Sequence, residues 1–293
     1  MSFPICAANI CVPNRKQIAS FSIAGLMLGI APLWLMLAAA KTSAQAQTSN
    51  PADWTQFHRD NMQRWNPYET ILNVDNVASL NLKWNSSIGG ASSPAVVNGV
   101  AYIGSNDDNV YALNASTGAK LWSFATGESV YSSPAVVNGV VYVGSFDHNL
   151  YALNATTGME LWSYTTGNII DSSPAVANGV VYFGAQDGNF YALNANTGAK
   201  LWSYETGNDE LPSPAVANGV VYMGTDNYIG SNNLYALNAS TGALLWSYAT
   251  GSIYTSPAVA NGVVYFGSVD NTDNLLGRSD DRGRIPAVRD RLG

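Results

Sequence analysis

Acidic side chains are the residues of this chain whose type and spacing could do chemistry. Between Ser93 and Thr255 the sequence has eleven acidic residues and two lysines, a net charge of −9. Carboxylates gathered on one surface attract cations or a basic partner surface. Nine of the acids lie in turns and connections that differ along the chain: Asp107, Asp108, Glu128, Asp147, Asp171, Asp187, Asp209, Glu210 and Asp226. We predict that they form an acidic binding face, with ordinary turn chemistry as the alternative at Asp107, Asp147 and Asp187.

Other reactive residue types form no catalytic or metal-binding set in the sequence. The histidines, His58 and His148, are far apart, which disfavours a histidine metal site. Both cysteines, Cys6 and Cys11, precede an apolar segment and would be lost if that segment were cleaved. No Ser/His/Asp triad, phosphate-binding glycine loop or HExxH motif occurs. We therefore predict no catalytic residue, no metal ligand and no cofactor-binding residue.

The elements that position these acids come from an internal repeat. The pattern S-P-A-V-x-N-G-V-x-Y-x-G occurs five times, at steps of 40, 40, 40 and 43 residues. A period near forty with short apolar runs and turn dipeptides predicts an all-β β-propeller of four-stranded blades. We call the strands of each blade A to D. The Asn-Gly pair between A and B predicts a type I′ hairpin turn.

The strands carry consecutive apolar residues, which predicts burial on both faces between neighbouring blades. The A–B and C–D turns hardly vary and lie on one face of the predicted propeller, whereas the B–C turns and D–A connections vary and lie on the opposite face. Loops freed from a repeating scaffold are the usual place for function. Each D strand also has a tryptophan four residues after a Thr-Gly turn. We predict that these indoles close the seams between blades: Trp122, Trp162, Trp202 and Trp246.

One eleven-residue stretch carries a family resemblance. Residues 112–122, A-L-N-A-S-T-G-A-K-L-W, resemble the tryptophan-docking motif A-x-[DN]-x-x-T-G-x-x-x-W, which returns at 152–162, 192–202 and 236–246. The lead-in D-W-T-Q-F-H-R at 53–59 is similar to the opening segment of many members of the same family. Over residues 53 to 270 the chain thus resembles bacterial PQQ-like (quinoprotein-type) β-propeller repeat proteins.

The resemblance implies a fold, and in some members a quinone-dependent dehydrogenase activity. Such enzymes need a bound quinone, Ca²⁺, a carboxylate base and, in related members, a vicinal disulfide. A chain without cysteines after residue 11 cannot supply that disulfide, and its blade loops have no basic residue to contact the quinone oxygens. We therefore expect a non-enzymatic propeller without a cofactor. A fragment or relative of a PQQ-dependent dehydrogenase and a cell-surface carbohydrate or adhesion module are the alternatives.

The two ends of the repeat array look complementary. Residues 82–85 resemble a lone D strand, and residues 256–267 supply strands A and B of a fifth copy. Pairing of the two ends would make four complete blades plus a fifth that is split between the termini, and would cover bare sheet edges. An open arc cut from a larger propeller is the competing arrangement.

The segments outside the repeats predict export. Residues 1–46 combine a basic start, an apolar stretch at 18–40 and an A-x-A site, typical of a cleaved signal peptide or a retained membrane anchor. Residues 47–80 are a lead-in and 81–277 the propeller. Residues 278–293 form a basic tail, which either binds an acidic partner or results from a frameshift. The net charge of −7 disfavours nucleic acid.

These observations together predict a function. We expect an extracytoplasmic, periplasmic or secreted scaffold that binds a protein or peptide through its acidic variable-loop face. The partner would be basic or bridged by a cation, and residues 18–40 would provide any membrane anchoring.

Overall fold

The structure is a computed structural model that describes residues 55, 71–207, 211–226, 232–260, 262–268 and 277–278. The predicted leader, at 1–46, lies outside the described residues, and so does the basic tail apart from Arg278. Among the described residues, no helix has the length and apolar character needed to cross a bilayer.

The described strands form five antiparallel sheets, which we call blades 1 to 5 in chain order. Blades 1 to 4 have four strands each, paired in chain order, as the repeat predicts, and blade 5 has three. Blade 1 contains β1 (Ala95–Val97), β2 (Val100–Gly104), β3 (Asn109–Asn114) and β4 (Lys120–Ala125). Blade 2 contains β5 (Ala135–Val137), β6 (Val140–Gly144), β7 (Asn149–Asn154) and β8 (Glu160–Thr165). Blade 3 contains β9 (Ala175–Ala177), β10 (Val180–Ala185), β11 (Asn189–Asn194) and β12 (Lys200–Glu205). Blade 4 contains β13 (Ala215–Ala217), β14 (Val220–Met223), β15 (Asn232–Asn238) and β16 (Leu244–Thr250). Blade 5 contains β17 (Ala258–Ala260), β18 (Val263–Tyr265) and β19 (Gly277–Arg278), and a short 3₁₀ helix, Val77–Ser79, precedes blade 1.

The A–B turns have the predicted backbone conformation. Asn98 and Gly99 have φ angles of 50° and 75°, and Asn138 and Gly139 have 52° and 77°. Positive φ at both central residues is what a type I′ turn requires, and Asn and Gly tolerate it best. The fifth Asn-Gly pair is described only at its glycine. The Asn-Gly prediction is therefore confirmed in the four complete blades.

The blades stack through their A strands, which contact one another in chain order from β1 to β17. Buried apolar layers fill the space between neighbours. The first layer joins Val110 and Ala112 of blade 1 to Val141 and Leu153 of blade 2, and all four side chains are fully buried. Three further layers join blades 2 and 3, 3 and 4, and 4 and 5. The prediction of sheets sandwiched between sheets is thus confirmed.

The D strands differ from that prediction. In β4 exposed residues alternate with half-buried ones, and β8 has the same pattern. The repeated leucines Leu121 and Leu161 keep 52% and 51% of their surface exposed. A D strand is the outermost strand of its blade and has a neighbour on one edge only. Consecutive apolar residues therefore do not guarantee burial on both faces at this position.

The ends of the array differ from the complete blades. Residues 82–85 form no strand, although Trp84 contacts blade 1 as a docking tryptophan would. In blade 5, β18 pairs with Gly277 and Arg278. None of the strand pairs among the described residues joins residues 82–85 to blade 5, so a split closing blade stays a prediction.

Candidate functional site

A pocket of about 360 Å³ lies at the N-terminal ends of the A strands, and we call it the axial pocket. Its position follows from the repeat, because the Ser-Pro dipeptide before each A strand brings an equivalent serine to this place. Five such serines line the axial pocket: Ser93, Ser133, Ser173, Ser213 and Ser256. The D–A connections supply most of the rest of the wall, and Asp226 comes from the B–C turn between β14 and β15.

The serines are linked to one another across the blades. The backbone N–H of Ser93 donates to Ser133 Oγ at 3.0 Å, and the N–H of Ser133 donates to Ser173 Oγ at 3.0 Å. The N–H of Ser173 donates to Ser213 Oγ at 2.8 Å. Each of the three hydroxyls thus accepts one hydrogen bond, and none donates to an acceptor among the described residues. Their hydroxyl hydrogens are available to a bound molecule.

Two carboxylates complete the polar part of the axial pocket. Asp226 is only 7% exposed, and its Oδ1 has no hydrogen-bond partner. The carboxylate of Asp171 accepts a hydrogen bond from Gln186 Nε2 at 3.0 Å. No described residue that lines the pocket is a lysine or an arginine. The pocket therefore offers uncompensated negative charge, and a buried carboxylate oxygen without a donor is costly.

Two exposed tyrosines stand at the edge of the axial pocket. Tyr131 and Tyr254 line it with 46% and 56% of their surfaces accessible. The ring of Tyr131 packs on Phe146 with the centroids 4.8 Å apart. An aromatic face held in this way can cover an aliphatic chain or attract a cation. Both tyrosines occur in the variable D–A connections.

The acids of the B–C turns in blades 1 to 3 lie outside the lining of the axial pocket and have partners of their own. Asp147 Oδ2 accepts from the backbone N–H of Gly127 at 2.6 Å and from the Tyr151 hydroxyl at 2.7 Å. Asp187 makes the equivalent bonds, to Gly167 of the preceding blade and to Tyr191 of its own blade. These carboxylates hold a turn and clamp it to the preceding blade.

Asp107 is the equivalent residue in blade 1. It has the bonds within its own turn but, among the described residues, none to a preceding blade. The Tyr111 hydroxyl donates to its Oδ2 at 2.8 Å. Burial acts to raise the pKa of Asp107, but hydrogen bonds from Ser105, Tyr111 and Asn109 outweigh it and lower that pKa. Its carboxylate is therefore stabilised in the ionised form by its own turn.

The nine predicted face residues thus divide into groups. Two of them, Asp171 and Asp226, line the axial pocket. Asp108 accepts a hydrogen bond from Ser129 Oγ at 3.2 Å, and Glu128 is exposed. Asp209 and Glu210 lie outside the described residues. The sequence reasoning missed the hydrogen-bonded row of serines in the axial pocket. The recurrence of Ser-Pro before each A strand could have indicated it.

The seams between blades contain the predicted indoles. Trp122 Nε1 donates to the backbone oxygen of Ala155 in blade 2 at 2.9 Å, and its ring lies over Gly158. Trp162 and Trp202 make the equivalent bonds to Ala195 and Ala239, at 3.1 and 3.0 Å. Each indole therefore docks on the blade that follows its own.

The sequence reasoning did not find a second donor in each seam. The hydroxyl of Tyr102 donates to the same oxygen of Ala155, at 3.1 Å. Tyr142 and Tyr182 repeat this contact with the acceptors of the next two blades. Burial raises the pKa of Tyr142 to about 12. One carbonyl thus holds both a tyrosine and a tryptophan of the preceding blade.

No cluster of three or more His, Cys, Asp or Glu residues that could hold a metal ion is present in the part of the chain that the structure describes. Among the described residues, a cation in the axial pocket could bind only the carboxylates of Asp171 and Asp226 and the hydroxyl groups that line the pocket.

Comparison with known proteins places the chain by its repeats. The family model described as "Outer membrane protein assembly factor BamB" matches residues 54–211 and 209–285. The dehydrogenase subunit of the quinone-type alcohol dehydrogenase of Gluconobacter oxydans is 38% identical over 80 residues, which are 26% of this chain and 10% of that protein. The quinoprotein ethanol dehydrogenase of Pseudomonas putida is 30% identical over 117 residues, 33% of this chain and 19% of that protein.

A solved structure shows the same fold. The quinohemoprotein alcohol dehydrogenase of Comamonas testosteroni superposes with a TM-score of 0.63 at 21% identity, over 83% of this chain and 49% of the enzyme. This chain therefore spans about half of that enzyme and much smaller shares of the two sequence relatives. At this identity the likeness concerns the β-propeller fold.

The comparisons correct one expectation. The sequence predicted a protein that is not an enzyme, and this prediction is wrong, because the matched relatives and the solved structure are alcohol dehydrogenases. The prediction relied on the lack of cysteines after residue 11 and on the lack of a basic residue in the blade loops that could contact the quinone oxygens. This chain covers only part of the length of those enzymes, so residues missing from it are no evidence against activity.

The quinone of those relatives does not fit the described lining of the axial pocket. A quinone that carries carboxylates needs cationic or donor-rich surroundings. The described lining has the carboxylates of Asp171 and Asp226 and no basic side chain. The serine hydroxyls supply donors but no positive charge, so the two acids would repel the group.

Proposed function

We propose that this chain, which belongs to the PQQ-like propeller family whose model is described as outer membrane protein assembly factor BamB, is a binding protein. It binds a basic peptide segment of a partner protein in its axial pocket. The ligand would be a lysine or arginine side chain together with its backbone. Such recognition is a binding function, and it does not conflict with catalysis at another site of a longer relative.

The buried, unpaired oxygen of Asp226 is the observation that carries the proposal. A donor from a ligand ammonium or guanidinium group would satisfy Oδ1 and neutralise the carboxylate. Asp171 adds a second negative charge to the same pocket. A charge-assisted hydrogen bond of this kind contributes about 1.5–3 kcal/mol.

The remaining lining suits the rest of a peptide. The hydroxyls of Ser133, Ser173 and Ser213 can donate hydrogen bonds to the backbone carbonyl oxygens of a peptide. A lysine or arginine side chain alone has no such acceptor. Tyr131 and Tyr254 can cover the aliphatic stem of the side chain. The combination of acceptors at one place and donors at another favours a ligand with both a cation and carbonyl groups.

Binding of a labelled lysine-containing hexapeptide, followed by fluorescence anisotropy, tests the proposal. The same peptide with acetylated lysine is the ligand control, because acetylation removes the charge and keeps the backbone. We expect D226N to weaken binding of the charged peptide at least about tenfold. The matched variant E205Q removes an exposed acid of β12 that lies outside the pocket and should bind normally.

Equal binding of the charged and acetylated peptides, or equal weakening by D226N and E205Q, would contradict the proposal. A thermal midpoint for each variant shows whether it is folded. Titration at rising salt adds a second measure, since a charge-dependent complex weakens as ionic strength increases.

Quinone-linked alcohol oxidation is the second candidate function, favoured by the matches to quinoprotein alcohol dehydrogenases. Addition of pyrroloquinoline quinone with Ca²⁺ tests it. A stoichiometric complex that changes the absorbance of the quinone and raises the melting temperature would favour this candidate. Unchanged spectra and stability would count against it.

An extracytoplasmic location is part of the proposal. It is supported by the family description, which names an outer-membrane assembly factor, and by the export pattern at residues 1–46. Fractionation of cells that express the full chain tests it, and recovery in the cytoplasm alone would contradict it.

A further inference from the structure

Two variable positions meet at the open end of the A–B hairpin in blades 2 and 3. One lies four residues before strand A, and the other lies two residues after the repeated glycine of strand B. They are Tyr131 and Phe146 in blade 2, and Asp171 and Gln186 in blade 3. The two rings of blade 2 have their centroids 4.8 Å apart, and in blade 3 Gln186 Nε2 donates to Asp171 Oδ2 at 3.0 Å. We call each such couple a hairpin-mouth pair.

The backbone holds the two hairpin-mouth pairs in the same way, although their side chains differ. The N–H of Phe146 donates to the oxygen of Ser129 at 3.0 Å, and the N–H of Gln186 donates to the oxygen of Ile169 at 3.0 Å. Side chains that face each other across a hairpin interact directly. The repeat therefore supplies one two-residue unit per blade, whose chemistry can change while its position does not.

Buried neighbours aim these units at the axial pocket. The residues that precede Tyr131 and Asp171 are Val130 and Ile170, and both are fully buried. Ile170 packs so closely on Gly144 that there is no room for a Cβ on that glycine. The backbone is thereby fixed at this place, and Tyr131 and Asp171 both line the axial pocket.

The pairs of blades 2 and 3 occupy neighbouring positions on the pocket wall. The N–H of Ser133 donates to Ser173 Oγ at 3.0 Å, and Tyr131 and Asp171 each lie two residues before one of these serines. Tyr131 keeps 46% of its surface exposed. The bond from Gln186 uses Oδ2 of Asp171, so Oδ1 can accept from a ligand. An accessible aromatic surface thus lies next to a negative charge.

We propose that the hairpin-mouth pair of blade 2 binds an apolar side chain that is adjacent to the basic residue of the bound peptide. This inference rests on the proposed function and narrows its ligand to a segment with basic and apolar neighbours. Asp171 belongs to the part of the pocket that takes the cation, as does Asp226. Tyr131 and Phe146 offer two rings without charge, and an apolar side chain gains by leaving water for such a surface.

The competing occupant of the blade 2 pair is the aliphatic stem of the basic side chain itself. In that case the residues beside the lysine would not affect affinity. In the proposed arrangement they do, and Tyr254 covers the stem from another part of the pocket. Peptides that differ only beside the lysine therefore separate the two arrangements.

The test uses labelled hexapeptides with one central lysine, flanked on both sides by either leucine or serine, and fluorescence anisotropy on the full chain. Each peptide is also made with acetylated lysine. We expect the leucine form to bind at least about tenfold more tightly than the serine form. Y131A and F146A should remove most of this difference. The matched variant L161S removes a leucine of β8 that is 51% exposed and outside the pocket, and it should keep the difference.

A transplanted pair gives a change of specificity. Y131D/F146Q copies the pair of blade 3 onto the equivalent backbone of blade 2, and we expect this variant to bind a lysine-flanked peptide more tightly than the leucine-flanked one. Urea unfolding of Y131D, F146Q and the double variant measures the pair without any ligand. The double variant should lose less stability than the sum of the single ones, because its two new side chains bond to each other.

Each result has a distinct meaning. Equal binding of the leucine and serine forms would overturn this inference and would leave the proposed function standing if acetylation still weakens binding. Binding that does not respond to acetylation would overturn both. A Y131D/F146Q variant that still prefers leucine, or additive losses of stability, would show that Tyr131 and Phe146 do not act as the proposed unit.

Discussion

The carboxylate of Asp147 joins two blades, because its Oδ2 lies 2.6 Å from the backbone nitrogen of Gly127, which follows β4. The same carboxylate holds its own turn through Tyr151 and Asn149. Asp107 holds its turn in a similar way but has no bond to a preceding blade among the described residues. The two residues therefore differ by one contact between blades.

We expect D147A to destabilise the protein more than D107A does. Both variants lose the turn bonds, and D147A also leaves the N–H of Gly127 without its charged acceptor, a difference of about 1–3 kcal/mol in the free energy of unfolding. Urea unfolding measures both values. Equal destabilisation would show that the bond between the blades contributes nothing.

Replacing Gly158 tests how closely the indole docks. Gly158 has φ of +72°, and a Cβ there would lie 2.7 Å from the ring of Trp122. We expect G158A to lower the free energy of unfolding by about 3 kcal/mol or more, from strain and overpacking together. The matched change is G179A, at φ of +76° with nothing within 4 Å, which should cost only about 1 kcal/mol. Similar losses in both variants would mean that the indole is free to move away.

The indole hydrogen bond can be separated from the indole volume. W162F removes both the bond to Ala195 and part of the ring, whereas W246F removes ring volume at a seam where Nε1 has no partner. We expect W162F to be more destabilising by about 1 kcal/mol. Thermal unfolding followed by circular dichroism gives the comparison. A larger loss in W246F would contradict the assigned role of the bond.

Alkaline pH should weaken the seams. Burial raises the pKa of Tyr142 from 10.0 to about 12, since the folded state favours the neutral phenol. Its contribution is fully present below pH 10, the pKa of the unfolded chain, and is lost as pH rises through the folded-state value near 12. We expect melting temperatures to fall over this range, and more gradually in Y142F. If the melting temperatures of Y142F and of the unchanged protein fell in parallel with pH, ionisation of Tyr142 would not be the cause of the loss of stability.

Much of the scaffold could be predicted from the sequence because its chemistry is local. The Asn-Gly turn at Asn98 needs only two residues that accept positive φ, and the docking of Trp122 follows from a motif within a few residues of its own strand. The exposure of Leu121 could not be predicted, since it depends on the position of β4 at the outer edge of its blade.

The candidate site was only partly predictable. Its acids were recognised by charge, and turn chemistry was named as the alternative for Asp187, whose oxygens bind its own turn and the preceding blade. The sequence did not indicate that Asp226 would lie in the axial pocket with an unpaired oxygen. That difference depends on contacts between blades that are distant in the sequence. The serines were visible as a repeated dipeptide, yet only the assembled blades bring Ser133 and Ser173 into hydrogen-bonding contact.

Docking in this chain has a direction, since in blades 1 to 3 a tryptophan and a tyrosine both reach forward to one carbonyl of the next blade. A duplicated unit of 40 residues inserted into the array would bring its own acceptor for the blade before it and its own donors for the blade after it. Such an array can lengthen during evolution without a new interface having to arise. Variation in blade number among relatives is therefore accessible by unequal recombination between near-identical repeats.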